Sequence, residues 1–192
     1  MRMRRTLRRL RREAGYTLIE MLTVLVIMGV VTGSLTTLFV QASNAESDMN
    51  NRFQAQLTAK LALDKMRREV HCASVATPTG TSSSVTITLP SYCKTGSGSV
   101  TWCTRSVATN RYALYRVVGS TCTGGIKWAD YLTPSGSASV CSGALCIFNY
   151  TAQSTTSLAK LGVDFPVNVK PSKTVDLYEL ADDLVLRNST RS

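Results

Sequence analysis

The first hydrophobic segment of the chain runs without interruption from Tyr16 to Val40 and contains one charged residue, Glu20. A helix of these 25 residues would be about 37 Å long, since each residue adds 1.5 Å, and the hydrocarbon layer of a membrane is roughly 30 Å thick. The segment is therefore long enough to cross a bilayer with some tilt. The pattern predicts a single transmembrane helix.

Beyond this segment the apolar positions keep a helical spacing and form one stripe, at Met49, Phe53, Leu57, Leu61, Leu63, Met66 and Val70. Polar and charged residues occupy the gaps. No Gly or Pro interrupts the chain between Ser34 and Thr77, and Pro78 follows. We therefore predict one helix from about Thr17 to about Ser74, whose second half is amphipathic and packs through this stripe against the rest of the chain.

After residue 76 the period of the pattern becomes two, as in the alternation of Val85, Ile87 and Leu89 with threonines. Further predicted strands are Val100–Ser106, Tyr112–Val118, Ile126–Tyr131, Ala144–Tyr150, Leu158–Val169 with a break at Pro166, Thr174–Leu180 and Leu184–Arg187. Because the helix and the strands are segregated along the chain, the pattern predicts an α+β fold with an antiparallel sheet packed on the outer half of the helix.

Four segments follow from these patterns. We expect a basic leader at 1–15, the transmembrane half of the helix at 16–41, its amphipathic half at 42–76 and a β-rich extracytoplasmic head at 77–192. The leader contains seven of the 22 basic residues, and the other segments together carry a charge of only +4, compared with +10 for the whole chain. This clustering before the apolar segment predicts a cytoplasmic N-terminus, with everything after Val40 outside.

The charge of the remaining chain keeps nucleic acid open as an alternative partner. The basic residues that would contribute to such a patch are Lys94, Arg105, Arg111, Arg116 and Lys127. Scattered positive charges more often form a solvated surface. Any binding to nucleic acid would therefore be weak and strongly dependent on salt.

Two ordinary kinds of N-terminal segment fit this pattern less well. A secretory signal peptide has a shorter apolar region than this one, although Val40-Gln41-Ala42 offers a small-residue cleavage site. A simple signal anchor explains the length and the charge, but it gives no reason for Glu20, an ionisable group in an apolar span.

The segment Gly15–Leu22, GYTLIEML, preceded by arginines and followed by TVLVIMGV, resembles the prepilin cleavage and methylation motif of type IV pilins and type II secretion pseudopilins. The resemblance implies that a prepilin peptidase cuts between Gly15 and Tyr16 on the cytoplasmic side and that Tyr16 becomes N-methylated. Tyr16 replaces the phenylalanine that is common at this position. The helix then stays on the mature protein, and the fold is the ladle of pilins.

The same resemblance implies the partners and the location. Glu20 would pair with the amino terminus of Tyr16 in a neighbouring subunit, so that other pilin or pseudopilin subunits are the main partners. The prepilin peptidase and the inner-membrane assembly platform are the others. The chain would be a single-pass membrane protein with its N-terminus inside, and then part of an extracellular or periplasmic filament.

Three short segments resemble the larger minor subunits, the W-type minor pilins and the J-type minor pseudopilins. They are Leu63–Val70, Ala113–Val117 and Leu184–Asn188. The resemblance therefore favours a minor subunit, and a major pilin of the filament shaft is the alternative. A signal-anchored extracytoplasmic binding or enzyme domain is the alternative of another class.

Six cysteines all follow the membrane segment: Cys72, Cys93, Cys103, Cys122, Cys141 and Cys146. An even number on the outer side indicates a disulfide framework, for which 15 connectivities exist. Cys141 with Cys146 and Cys93 with Cys103 are near enough in sequence to close small loops. We expect no metal site, because there is no C-x-x-C pair and the one histidine, His71, is expected to be partly exposed at the helix end.

The sequence contains no arrangement typical of an active site. No G-x-S-x-G or P-loop motif is present, and one histidine leaves no nucleophile with an obvious base. Asp182-Asp183 and Asp176 with Glu179 are expected to be solvated charges of turns and strand faces rather than paired catalytic acids. The sequence therefore predicts a structural protein that is not an enzyme and needs no cofactor.

Overall fold

The computed structural model describes residues 16–136, 138–171, 173 and 176–189. The leader and Gly15 lie outside the described residues. The chain divides after Asp48 into two compact units. A single helix, α1, runs from Leu18 to Cys72, so the long N-terminal helix is confirmed and ends two residues before the predicted position.

The first unit consists, in its described part, of the beginning of α1. Its apolar side chains are exposed, as expected for a surface that lipid would cover. Threonine and serine hydroxyls in this part donate to carbonyls three or four residues earlier, as Thr32 does to Met28 at 2.6 Å and Ser34 to Val31 at 2.9 Å. These bonds satisfy the hydroxyls without water. Among the described residues, α1 is the one helix with a stretch long and apolar enough to span a membrane.

The second unit contains the end of α1 and a curled antiparallel sheet. The strands are β1 (Val75–Thr77), β2 (Gly80–Ser82), β3 (Ser84–Leu89), β4 (Gly98–Ala108), β5 (Arg111–Val118), β6 (Ile126–Leu132), β7 (Ser139–Cys141), β8 (Ala144–Cys146), β9 (Phe148–Thr151), β10 (Lys160–Val167) and β11 (Tyr178–Val185). Strands β7 and β8 form a separate hairpin. The order across the main sheet is β1-β3-β4-β5-β6-β10-β9-β2, and β11 pairs with β10.

The two ends of this strand order are neighbours in the sequence. Only Pro78 and Thr79 separate β1, at one end of the sheet, from β2, at the other. The sheet must therefore curl until its first and last strands approach each other. Its inner side packs on one face of the end of α1, and the core contains helix residues such as Met66 together with Trp102 and Phe165. The predicted α+β class with an antiparallel sheet on the helix is confirmed.

The helix face that packs on the sheet differs from the predicted one. Leu63, Met66 and Val70 are buried as expected, but the buried face continues through three alanines, Ala55, Ala59 and Ala62. The predicted core residues Met49, Phe53, Leu57 and Leu61 are instead exposed. Alanines allow the helix to approach the strands closely, and the large side chains are left on the opposite face.

The last two strands also differ from the prediction. Strand β10 continues through Pro166, whose carbonyl accepts a hydrogen bond from the Thr133 amide at 2.9 Å. Of the two strands predicted around Asp182-Asp183, the residues Tyr178–Val185 form the single strand β11, whereas Thr174 and Val175 lie outside the described residues. The two aspartates are therefore strand residues that point to opposite faces of the sheet. The strand continues through the position where a turn was expected.

Candidate functional site

The N-terminal end of α1 is the first candidate site, because the predicted cleavage, methylation and assembly residues lie there. Thr17 precedes the helix, and the Glu20 amide donates to both its carbonyl, at 3.0 Å, and its hydroxyl, at 3.3 Å. Threonine is a common N-cap for this reason. Tyr16, just before the cap, is 75% exposed.

Glu20 lies in the first turn of α1. A carboxylate in this position is stabilised by the partial positive charge of the unpaired amides at a helix start. Within the described part of the chain it takes part in no ion pair. The site therefore presents an exposed residue before the helix and, four residues later, a carboxylate that has no charged partner among the described residues.

An exposed apolar surface on α1 is the second candidate site. We call it the outer stripe and define it as Met49, Phe53, Leu57 and Leu61. Successive members are four residues apart, so they follow one side of the helix. Met49 is 69% exposed and Phe53 60%. Large apolar groups at this density on one helix face are typical of an interface with another protein.

A buried carboxylate, which the sequence analysis missed, fixes α1 to the sheet. Glu69 is fully buried. Its carboxylate accepts from the Trp102 indole at 2.9 Å and from the Arg116 guanidinium at 2.9 Å, and the Lys65 ammonium lies 3.1 Å away. These donors compensate the loss of hydration that burial of a charge entails.

Polar contacts also join α1 to the exposed edge of β11 and the segment before it. Arg52 pairs with Asp176 at 2.7 Å and Arg67 with Asp182 at 2.7 Å. The His71 ring nitrogen Nδ1 lies 2.9 Å from the Val185 carbonyl oxygen. His71 is half-buried at the helix end, as expected. Asp176 and Asp182 are thus partners of helix arginines. No local pattern indicates these pairs, because more than 100 residues separate the partners.

Three of the five basic residues that could contribute to a nucleic-acid patch are engaged in ion pairs. Arg116 is engaged by Glu69, whereas Arg111 and Lys127 both bind Asp130, at 2.8 and 2.9 Å. Burial alone would raise the pKa of Asp130, but the hydrogen bonds from Arg111, Lys127 and a backbone amide outweigh it and lower that pKa. Asp130 therefore stays ionised and neutralises part of this surface.

The six cysteines form three disulfides in the described residues: Cys72–Cys93, Cys103–Cys122 and Cys141–Cys146. The suggested pair Cys93 with Cys103 is wrong. Cys103 lies within β4, where its neighbour is the loop after β5, whereas Cys93 lies in the turn before β4 and reaches the end of α1. With every cysteine bonded, the described residues contain no group of three or more potential metal ligands.

Removing one long-range disulfide should destabilise the second unit measurably. We expect Cys103→Ala with Cys122→Ala to lower the free energy of unfolding by about 3 kcal/mol, because the unfolded chain gains the freedom of an open loop. Urea unfolding of the full chain in detergent micelles, followed by tryptophan fluorescence, measures this. Both tryptophans, Trp102 and Trp128, lie in the second unit.

The matched control is the short hairpin bridge. Cys141→Ala with Cys146→Ala opens a loop whose ends are separated by only five positions and should cost about 1 kcal/mol less than the first variant. Six titratable thiols in the denatured, unreduced protein would contradict the whole framework.

Comparison with known proteins adds one finding. Residues 10–36 match the family described as the prokaryotic N-terminal methylation motif. No curated protein and no solved structure matches the chain. The match includes Gly15, Tyr16 and Glu20, and it supports assignment to the type IV pilin and pseudopilin family.

Proposed function

We propose that this pilin- or pseudopilin-type chain is a minor subunit of a type IV pilus-like or type II secretion filament, which assembles by helix packing after prepilin peptidase cleavage. The observation that carries the proposal is the methylation motif at residues 10–36, placed where the long apolar helix begins. Proteins of this family are structural. The proposed route runs from a single-pass membrane protein, with its N-terminus inside, to a filament outside the inner membrane.

Processing is the first step of this proposal. Tyr16 is exposed and lies before the first residue of α1, so the peptide bond on its N-terminal side adjoins an accessible, non-helical residue. A peptidase needs an extended substrate segment, and the glycine at position 15 has no side chain that would obstruct it. We propose that cleavage occurs after Gly15 and that Tyr16 is then N-methylated.

Mass spectrometry of the mature chain tests this step. Co-expression with a prepilin peptidase should remove the first 15 residues and leave a methylated Tyr16 at the new terminus. Gly15→Leu should block the cut, because the side chain obstructs the scissile bond. A mature chain that starts at Ser43 would instead support a secretory signal peptide.

Assembly is the second step. The apolar side chains of the membrane segment are exposed along the chain's own surface, and the outer stripe is exposed on the later part of the same helix. Once a subunit leaves the lipid, both surfaces would be exposed to water unless other apolar groups pack on them. We propose that helices of neighbouring subunits pack on them.

Polar substitutions in the outer stripe should separate assembly from folding. We expect Phe53→Ser and Leu57→Ser to change the free energy of unfolding by less than about 0.5 kcal/mol, because both side chains are exposed. Incorporation into sheared filaments should fall, since each apolar side chain buried in a contact contributes about 1.5–3 kcal/mol. Gln54→Ser, one residue from Phe53, is the control. Normal incorporation of both serine variants would contradict a role of the stripe.

The choice of a minor subunit rests on three segments that resemble W-type and J-type subunits. They meet at the end of α1: Arg116 of the second segment binds Glu69 of the first, and Asn188 of the third donates to the Cys72 carbonyl at 2.9 Å. The proximity of the three segments supports the interpretation that they form one structural unit. Counting copies of the chain per filament distinguishes a minor subunit from a major pilin.

A further inference from the structure

Strand β11 forms a long free edge of the main sheet. It pairs with β10 along its whole length without a break in the register, and no other described strand pairs with it. The strands at the two ends of the sheet order, β1 and β2, have only three residues each. Short edge strands are a common protection against the addition of a further strand. Strand β11 has eight residues, no proline and no bulge, and therefore lacks this protection.

The register shows which backbone groups of β11 face the free edge. The Leu186 amide donates to the Ala159 carbonyl at 2.9 Å, just beyond the first residue of β10. Hydrogen-bonded pairs alternate along an antiparallel ladder, so the even-numbered residues of β11 bond to β10 and the odd-numbered residues direct their amides and carbonyls outward. Val185 agrees with this assignment, because its carbonyl oxygen lies 2.9 Å from Nδ1 of His71 on α1.

Three outward-facing residues precede this contact: Glu179, Ala181 and Asp183. All three are exposed. Their outward amides and carbonyls have no hydrogen-bond partner among the described residues. Each of these residues can therefore give one donor and one acceptor to an added strand.

The side chains along this edge are acidic. Glu179 and Asp183 share the outer face of the sheet, because alternate residues of a strand point to the same side. Asp182 points to the other side and is paired with Arg67. Lys160 on β10 lies 3.0 Å from Asp183, but the two side chains are 49% and 64% exposed, and such exposed pairs contribute little. The edge therefore favours a strand with positively charged side chains.

The same charges disfavour a second copy of β11 as the added strand. Antiparallel pairing of two copies about Ala181 would place Glu179 of one opposite Asp183 of the other, at both ends of the contact. Like charges that are directly opposite destabilise a strand pair. Parallel pairing would bring identical acids side by side. The charge of the edge thus indicates a partner with another sequence.

We propose that β11 binds an extended basic segment of another protein, which adds to the sheet as an antiparallel strand opposite Glu179–Asp183. Hydrogen bonds to the outward amides and carbonyls provide the affinity, as in other cases of strand addition. A Lys or Arg opposite Glu179 and a second one opposite Asp183 select the partner by charge. The site lies within the second unit and does not depend on the filament proposal.

The test is an NMR titration of the full chain in non-ionic detergent micelles with the peptide acetyl-Thr-Lys-Thr-Ala-Thr-Lys-Thr-amide. At saturation, hydrogen exchange should slow at the amides of Glu179, Ala181 and Asp183. It should not change at Leu180 and Asp182, whose amides already bond to β10. The same peptide with Glu in place of both Lys should cause no protection. Loss of the alternating pattern, or equal protection by the acidic peptide, would overturn the proposal.

Two N-methylated peptides separate strand addition from simple attraction between charges. Methylation of the central Ala removes an amide that faces β11 and should weaken binding about fivefold, the value of one hydrogen bond. Methylation of the next Thr, whose amide faces away from β11, should leave the affinity unchanged. Equal affinities of the two methylated peptides would overturn the proposal, and this comparison uses the unaltered protein.

Two variants at one position make the same comparison in the protein. Ala181→Pro removes an outward amide but no hydrogen bond to β10, and proline is tolerated at such positions of edge strands. We expect it to weaken binding at least about fivefold, since its ring also obstructs the added strand. Ala181→Ser keeps the amide and should bind normally. Equal affinity of the two variants would show that the peptide does not add to this edge.

Discussion

Glu69→Leu should lower the free energy of unfolding of the second unit by about 3–5 kcal/mol. The carboxylate is fully buried and holds the Arg116 guanidinium, whose side chain is only 14% exposed. Leucine would leave that guanidinium buried without a counter-charge, and the Trp102 indole would lose its acceptor as well. Stranding one member of a buried ion pair typically has a cost of this size. Urea unfolding monitored by tryptophan fluorescence measures it.

The double variant Glu69→Leu with Arg116→Met is the decisive comparison. It removes both charges, so no group is stranded, and replacing a buried pair by apolar residues is often neutral. We expect it to recover most of the stability that the single variant loses. Asp64→Ala is the matched control, because Asp64 pairs with Arg67 at the surface and should contribute under about 1 kcal/mol. A single variant no worse than this control would show that Glu69 does not fasten the helix.

The sequence predicted the helices and strands of this fold better than it predicted which face of the helix is buried. The period of four at Met49, Phe53 and Leu57 correctly indicated a helix, but the size of these side chains suggested the wrong side for the core. The buried face contains Ala55 and Ala59 instead. Alanine is a weak signal in a hydrophobicity pattern, although close approach of a helix to a curled sheet requires small residues.

Glu69 was missed for a related reason. A charge on an amphipathic helix is ordinarily solvated, and the partners that make its burial tolerable are 33 and 47 residues away on β4 and β5. Likewise, the loop between Cys93 and Cys103 is short, but the actual pairs depend on which strands are neighbours. Such contacts follow from the register of the sheet, which no local pattern contains.

The N-terminal motif was easier to recognise, because its information is local. A glycine, an apolar run and one acid lie within a few residues, and the family match covers the same segment. The function of Glu20 within that segment concerns contacts between subunits. A single chain therefore leaves that function as a proposal, argued from the cost of burying a charge.

Glu20 lies in the first turn of a helix that is long and apolar enough to span a membrane, so a membrane-inserted subunit would hold it close to the aqueous interface. In the free subunit water can reach it there, so the full cost of a charge at the centre of a bilayer does not arise. In a filament the same carboxylate would be packed among apolar helices and would need a positive partner. If the chain is cut after Gly15, as proposed, the new α-amine at Tyr16 would be protonated at neutral pH, and methylation would keep it basic.

Glu20→Leu should therefore leave membrane insertion and cleavage intact but sharply reduce incorporation into filaments. The variant strands the amine of a neighbouring Tyr16, and the expected penalty is about 3–5 kcal/mol per contact if the pair is buried, compared with under about 1 kcal/mol if it is exposed. The measurement is the ratio of mature chain in sheared filaments to mature chain in membranes, with mass spectrometry to verify the cut. Glu46→Gln, an acid on the same helix beyond the apolar segment, should incorporate normally. If Glu20→Leu incorporates as well as this control, the carboxylate does not dock the subunit, and apolar packing of the helix alone would drive assembly.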